Sequence, residues 1–238
     1  MQREKASSKR RSGPARIREI DIDVDTLNDP LVVSEVAQVP GRTDRLRLSV
    51  NQVELGDVTL DYVVDERLRE GRTLTRAEAL HVLGALQRTI VLDKALDLLA
   101  VRARSTRDLG MRLRRAGARD GDIAWVQDRL TAQGFLDDAS FARQLARSKA
   151  LAGGTSRRRV IGVLRKKGIN AEVATAAIDA TFADVELDEF GAALAAAEKR
   201  LRALASLDPA KRRQRLYAFL ARRGYDGDTI RRVLNEIL

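Results

Sequence analysis

The 238-residue chain is expected to be mainly α-helical, with three tandem three-helix-bundle repeats in an elongated bent array, preceded by a small N-terminal module of antiparallel β-meander plus helix. Three observations predict this. A leucine, three mostly basic residues and a glycine recur as Leu113-Arg114-Arg115-Ala116-Gly117, Leu164-Arg165-Lys166-Lys167-Gly168 and Leu220-Ala221-Arg222-Arg223-Gly224, the glycines standing 51 and 56 residues apart. That period suits a three-helix unit. Apolar residues around each pattern return at helical spacing, whereas residues 31–60 change to alternation of apolar and polar side chains.

Residues 1–16, with Lys5, Lys9, Arg10, Arg11, Arg16 and Gly13-Pro14, lack the apolar surface for a core and read as a disordered basic arm. Residues 17–90 read as the β-rich module. Leu31-Val32-Val33, Val36 and Val39 lead to Pro40-Gly41, Leu46, Leu48 and Val50 alternate with polar residues, and Val53, Leu55, Val58 and Leu60 follow Asn51-Gln52. This makes a meander of about three strands. A short helix is predicted from Tyr62 to Glu70, ending at Gly71, and Thr75 with Glu78 forms the capping-box start of another from Arg76 to Arg88.

The repeats are assigned to residues 91–136, 137–183 and 184–238, with the acidic stretch Asp184 to Glu189 linking the second to the third. Their first helices run from about Leu92 to Ala103, Ala139 to Leu151 and Phe190 to Ala205. Their second helices end at the three glycines. Eight and four positions before each glycine stand Leu109 and Leu113, Val160 and Leu164, or Leu216 and Leu220, a single helical face that must be buried. Each glycine is then a C-cap that needs positive φ. The third helices carry Ile123, Val126 and Leu130, then Val173, Ala177 and Ile178, then Ile230, Val233, Leu234 and Ile237. Ser105 with Asp108, Asp208-Pro209, Asp120 or Asp122, Asn170 and Asp226 supply the start signals, and Asp137-Asp138 an N-cap followed by a first-turn acid.

Cysteine is absent, which excludes disulfides, thiol nucleophiles and the usual zinc sites. No apolar run approaches the roughly 18 residues that span a bilayer, and the first residues carry no secretory hydrophobic segment. The expectation is a cytoplasmic protein without a membrane partner. A net charge of +10 and a pI near 10.4 point to a polyanionic or strongly acidic partner. The location of the charge is more telling than its size. Residues 102–119 hold seven arginines against one acid, and residues 156–167 hold six basic residues and no acid.

Two before each glycine stand Arg115, Lys166 and Arg222, about 140° from the leucine stripe and so directed to solvent. Seven residues earlier the same face holds Asp108, Arg159 and Arg215, and a neighbouring stripe holds Arg107 with Arg114, then Arg158 with Arg165. Lys167 and Arg223 directly precede two of the glycines. Arginine is a good helix former on any solvent face, but such a face ordinarily intersperses acids. Their scarcity here makes these residues candidates for phosphate contact, which gives affinity without sequence specificity.

Catalytic signals are weak. His81, the sole histidine, lies mid-helix beside Leu80, Val82 and Leu83, the setting of a packed or half-exposed structural residue. No dinucleotide or P-loop glycine pattern occurs, and Gly153-Gly154-Thr155-Ser156 is a loop entering a basic helix without a nucleotide framework. Trp125, Phe135 and Phe141 are expected in the core. Neither enzymatic activity nor a metal or cofactor is expected.

The run Arg102-Ala103-Arg104-Ser105 with Asp108-Leu109 and Leu113, then Gly134-Phe135-Leu136-Asp137-Asp138, Phe141-Ala142-Arg143 and Arg147-Ser148, then Arg158-Arg159-Val160 through Gly168-Ile169, resembles the RecX family of recombination regulators over about residues 91–238. Residues 31–83 are similar, more loosely, to the N-terminal β-module of some members. The family usually has lysine before the first glycine and proline after the glycine of the second linker, where this chain has Ala116-Gly117 and Gly154-Thr155. The resemblance implies a non-enzymatic modulator of the RecA recombinase in homologous recombination, DNA repair and the SOS response. Such a protein binds as a monomer along RecA filaments on single-stranded DNA and hinders growth or ATP-driven strand exchange, with duplex DNA a further non-specific ligand. Two other readings remain open from the residues: a general nucleic-acid binder that competes for strand, and a helical adapter for an acidic protein.

Overall fold

The computed structural model describes residues 16–151, 156–184 and 189–238. The basic arm up to residue 15, most of the Gly153-Gly154-Thr155-Ser156 loop and the core of the acidic connector lie outside the described residues. The chain divides into two compact units, one of residues 1–102 and 109–130, the other of residues 103–108 and 131–238.

The first unit begins with a sheet. Strands β1 (Leu31–Gln38), β2 (Arg45–Val50) and β3 (Val53–Thr59) form the expected antiparallel meander. Asn51 and Gln52 both have positive φ, +49° and +64°, the pairing that matches a two-residue hairpin turn to strand twist. The sequence predicted about three strands; there is a fourth, β4 (Thr73–Leu74), antiparallel to Leu31 and Val32, giving the order β3-β2-β1-β4. Two residues are too few to show a period.

Helix α1 runs over Leu60–Asp65, shorter than the predicted Tyr62 to Glu70, because Arg67 adopts φ +52° and turns the chain. Helix α2 (Arg76–Val101) is one continuous helix of 26 residues, not the two separate helices that the sequence suggested. Thr89-Ile90-Val91 are poor helix formers, but none breaks the hydrogen-bond ladder: Thr89 Oγ1 donates to the Ala85 carbonyl at 2.9 Å and Val91 is fully buried. The Thr75–Glu78 capping box is complete in both directions. Leu31, Val33, Leu48, Val50 and Val58 pack against Val82, Ala85 and Leu86 of α2 to form this unit's sheet–helix core.

Helix α3 (Thr106–Arg115) precedes α4 (Asp120–Ala132), whose Ile123, Val126 and Leu130 are buried as expected. The second unit continues with α5 (Asp138–Leu151), α6 (Arg157–Lys166) and α7 (Ala171–Asp184), then α8 (Glu189–Arg202), α9 (Pro209–Arg222) and α10 (Gly227–Ile237). Two hydrophobic clusters form its cores. One joins Ala142 and Ala146 of α5 to Val160 and Leu164 of α6 and Ala174 and Ile178 of α7. The other joins Ala193 and Ala197 of α8 to Leu216 and Leu220 of α9 and Ile230, Val233 and Leu234 of α10. Asp137 caps α5 through the amides of Ala139 and Ser140, both at 2.9 Å, and Asp208 caps α9 through Lys211.

Candidate anion-binding helix ends

The helices that end at the repeated glycines, α3, α6 and α9, carry the cations read from the sequence. Leu109, Leu113, Val160, Leu164, Leu216 and Leu220 are all completely inaccessible. With that stripe fixed inward, the residue two before each glycine must face outward, and Arg115, Lys166 and Arg222 are all exposed. Gly117, Gly168 and Gly224 have φ of +104°, +83° and +90°. The next residue's amide then folds back on the repeat leucine: Ala118 to Leu113, Ile169 to Leu164 and Tyr225 to Leu220, at 3.0, 3.1 and 3.3 Å. This bond satisfies a carbonyl that the helix end would otherwise orphan.

The candidate residues fall into distinct environments. In the first unit, Arg114 donates from Nε and Nη2 to Asp120 Oδ1 at 2.8 and 2.6 Å, while Arg115 makes no ion pair with another described residue. In the second unit, Arg158, Arg165, Lys166, Arg215 and Arg222 are exposed, and none has a carboxylate partner among the described residues. The remaining four are engaged. Arg107 lies with its stem against Gly168, where an added Cβ would come within 2.3 Å of Arg107 Cδ. Arg159 donates from Nη1 to the Arg222 carbonyl at 2.6 Å. Lys167 is half-buried, its Nζ 3.9 Å from Asp108 Oδ1, an acid that also accepts from Arg104 Nη1 at 3.0 Å. The Arg223 guanidinium sits 4.6 Å from the centre of the Phe219 ring. The second unit thus brings Arg159, Arg222 and Arg223 together where α6 begins and α9 ends.

Other assignments resolve differently. His81 is half-exposed, edge-on to Tyr62 at 5.9 Å and 3.7 Å from Glu66 Oε1. Burial pushes the Tyr62 hydroxyl pKa up to about 12. Phe135, expected in the core, is 60 % exposed, because it lies in the turn between α4 and α5 rather than on a helical face. Trp125 is half-buried, with the guanidinium groups of Arg88 and Arg129 over its ring at 5.5 and 5.6 Å.

Sequence reasoning missed three acceptors and donors at these helix ends. Asp120 neutralises Arg114, and Glu19 pairs with Arg119; the cue was an acid three residues beyond Gly117, where the second repeat has Ala171. The third was a pair of serines, Ser105 and Ser156, each twelve residues before a repeat glycine. Both are completely buried. Among the described residues no group of three metal-ligating side chains occurs, and no helix is long and apolar enough to cross a membrane.

Comparison with known proteins identifies the lineage. Family models for the RecX second and third three-helix domains match residues 137–178 and 187–234. The regulatory protein RecX of Prosthecochloris aestuarii is 33% identical over 147 residues, covering 62% of this chain and 93% of that protein. The RecX proteins of Amycolatopsis mediterranei and Mycobacterium avium are 37% and 38% identical over 142 and 130 residues, covering 60% and 55% of this chain and 79% and 74% of their own lengths. The fold is that of a crystal structure of regulatory protein RecX, with a TM-score of 0.75 at 18% identity over 86% of this chain and 99% of that one. RecX from Lactobacillus salivarius superposes with a TM-score of 0.55 at 17% identity over 63% of this chain and 96% of that one. The chain belongs to the RecX family of regulatory proteins.

Proposed function

We propose that this chain binds the RecA filament on single-stranded DNA and inhibits its ATPase and strand-exchange activities, as a cytoplasmic, non-enzymatic regulator of homologous recombination and DNA repair. Family membership supports the regulatory role. The observation that carries the molecular reading is the set of exposed cations that have no carboxylate partner among the described residues at matching positions of α6 and α9, above all Lys166 and Arg222. In this reading the divisions 91–136, 137–183 and 184–238 are the working units, each offering one helix end. Phosphates supply affinity at each such end, and several weak contacts on one chain act as a multivalent ligand.

The test is RecA ATPase and strand exchange on single-stranded DNA across a titration of this protein. Both activities should fall at substoichiometric amounts; unchanged activity over a wide range counts against the proposal. Joint reversal of Arg115→Glu, Lys166→Glu and Arg222→Glu should relieve inhibition while leaving helix content intact. Competition for bare strand is separated by sedimenting the protein with preformed filaments when RecA saturates the DNA. Co-sedimentation supports filament binding, and its absence favours competition.

A further inference from the structure

The carbonyl one residue before each repeat glycine is occupied in a way that the family relationship does not explain. Lys167 O accepts from Ser105 Oγ at 2.6 Å. Arg223 O accepts from Ser156 Oγ at 3.2 Å, with the Ser156 amide at 3.4 Å. The two serines occupy the same place in successive repeats, twelve residues before Gly117 and Gly168. Each also caps its own helix: Ser105 Oγ accepts from the Asp108 amide and Ser156 Oγ from the Arg159 amide, both at 3.2 Å. A hydroxyl can accept and donate at once, which a carboxylate cap cannot. The start of one second helix is thereby docked on the end of the next, setting donor-rich N-termini against carbonyl-rich C-termini, a favourable dipole arrangement.

The ends of the series follow the same logic. Ala116 O, the equivalent carbonyl in the first unit, accepts from the Ile17 amide at 2.8 Å, so a piece of the N-terminal segment fills the place that a preceding serine would take. In the third repeat the position twelve before the glycine is Arg212, and the cap has moved to Asp208; Arg212 Nη2 instead donates to the Ala205 and Leu207 carbonyls.

We propose that Ser105 and Ser156 are positioning residues, buried hydroxyl clamps that fix the glycine-ended helix of the following repeat, and that Ser156 in particular holds Arg222 in register with Arg165 and Lys166. Arg159 reinforces this clamp through its bond to the Arg222 carbonyl, and close packing seals it: a Cβ on Gly224 would fall 2.6 Å from Ser156 Oγ. The clamp itself stands on geometry alone. Its use in aligning cations rests on the anion-binding reading above.

The test compares Ser156→Gly with Ser156→Thr in the full chain. Glycine is nearly as good an N-cap as serine and leaves the charge unchanged but removes the hydroxyl, whereas threonine keeps it. Amide exchange at Arg223, Gly224 and Tyr225 should rise about fivefold in the glycine variant, the loss of one ordinary hydrogen bond, and return toward wild type with threonine. The salt dependence of binding to a single-stranded oligonucleotide should fall in slope by about 0.7 in the glycine variant, since the phosphate met by Arg222 is no longer engaged together with those met by Arg165 and Lys166. Unchanged exchange overturns the clamp. Raised exchange with a wild-type slope overturns the positioning role. A flat slope in the wild-type protein overturns the anion-binding reading and the positioning with it, while exchange still decides the clamp. Ser105→Gly, read at Lys167, Gly168 and Ile169, is the second handle if Ser156→Gly does not fold.

Discussion

The helix end at Gly117 and those at Gly168 and Gly224 spell nearly the same sentence in sequence, yet they present different charge. At the first, Arg114 is held by Asp120 and Arg119 by Glu19. At the other two, Arg165, Lys166 and Arg222 face solvent with no carboxylate partner among the described residues. The difference lies in what begins the next helix. Asn170 caps α7 without charge, and the Asp226 carboxylate is taken up by the amides of Asp228 and Thr229 at 2.9 and 2.8 Å, whereas Asp120 is free to reach back to arginine. At the position three before the glycine, cation availability therefore follows the start of the next helix, Arg114 being paired with Asp120 while Arg165 has no carboxylate partner among the described residues; Arg115, like Lys166 and Arg222, is exposed at the position two before.

The largest test of this comparison concerns the glycines. Gly168→Val must force a branched side chain into positive φ and into the stem of Arg107, and should cost about 4 kcal/mol in denaturant unfolding. Gly117→Ala meets nothing closer than the Ile17 carbonyl at 3.7 Å, so only the backbone penalty of about 1–2 kcal/mol should remain. Equal losses at the two sites would show that the packing difference has no energetic weight.

Next in size is phosphate affinity. Lys166→Ala with Arg222→Ala should lower the salt slope of single-strand binding by about 1.4, while Arg114→Ala, already neutralised, should change it by less than about half that. Conversely, Asp120→Asn releases Arg114 and should tighten binding roughly threefold at low salt, making the first helix end behave like the others. No gain would mean that the Arg114–Asp120 pair does not limit the first unit.

The smallest effect is on acidity. Backbone donation from Thr229 holds the Asp226 carboxyl below its usual range, and donation from Lys211 does the same for Asp208. A depressed folded value means that the caps contribute fully above the ordinary carboxylate pKa of about 4 and lose that contribution as pH falls through the lowered one. Protection of the amides at the start of α10, relative to their intrinsic exchange rate at each pH, should fall on acidification below pH ~4, while protection at the start of α7, capped by neutral Asn170, stays level.

Much of this was legible in residue order. The leucine stripes, the positive-φ glycines, the outward basic positions and the meander with its Asn51-Gln52 turn all follow from local rules that tertiary contacts then reinforced. What was not legible depended on partners distant in the chain or on elements too short for a period. The ranges Arg76 to Arg88 and Leu92 to Ala103 proved to be one helix, α2, held together by burial at the join, and β4 exists only because Leu31 and Val32 lie beside it. The serine clamps reach across 62 and 67 residues, and no periodicity could join them.

Trp125 is the one tryptophan of the chain, in contact with two guanidinium groups, one on α2 and one on α4. Indole emission is therefore an intrinsic optical reporter for the first unit alone: it should shift when that unit loosens and stay silent when only α6 or α9 takes up a ligand, so a single fluorimeter trace can assign an event to one half of the molecule without any attached dye.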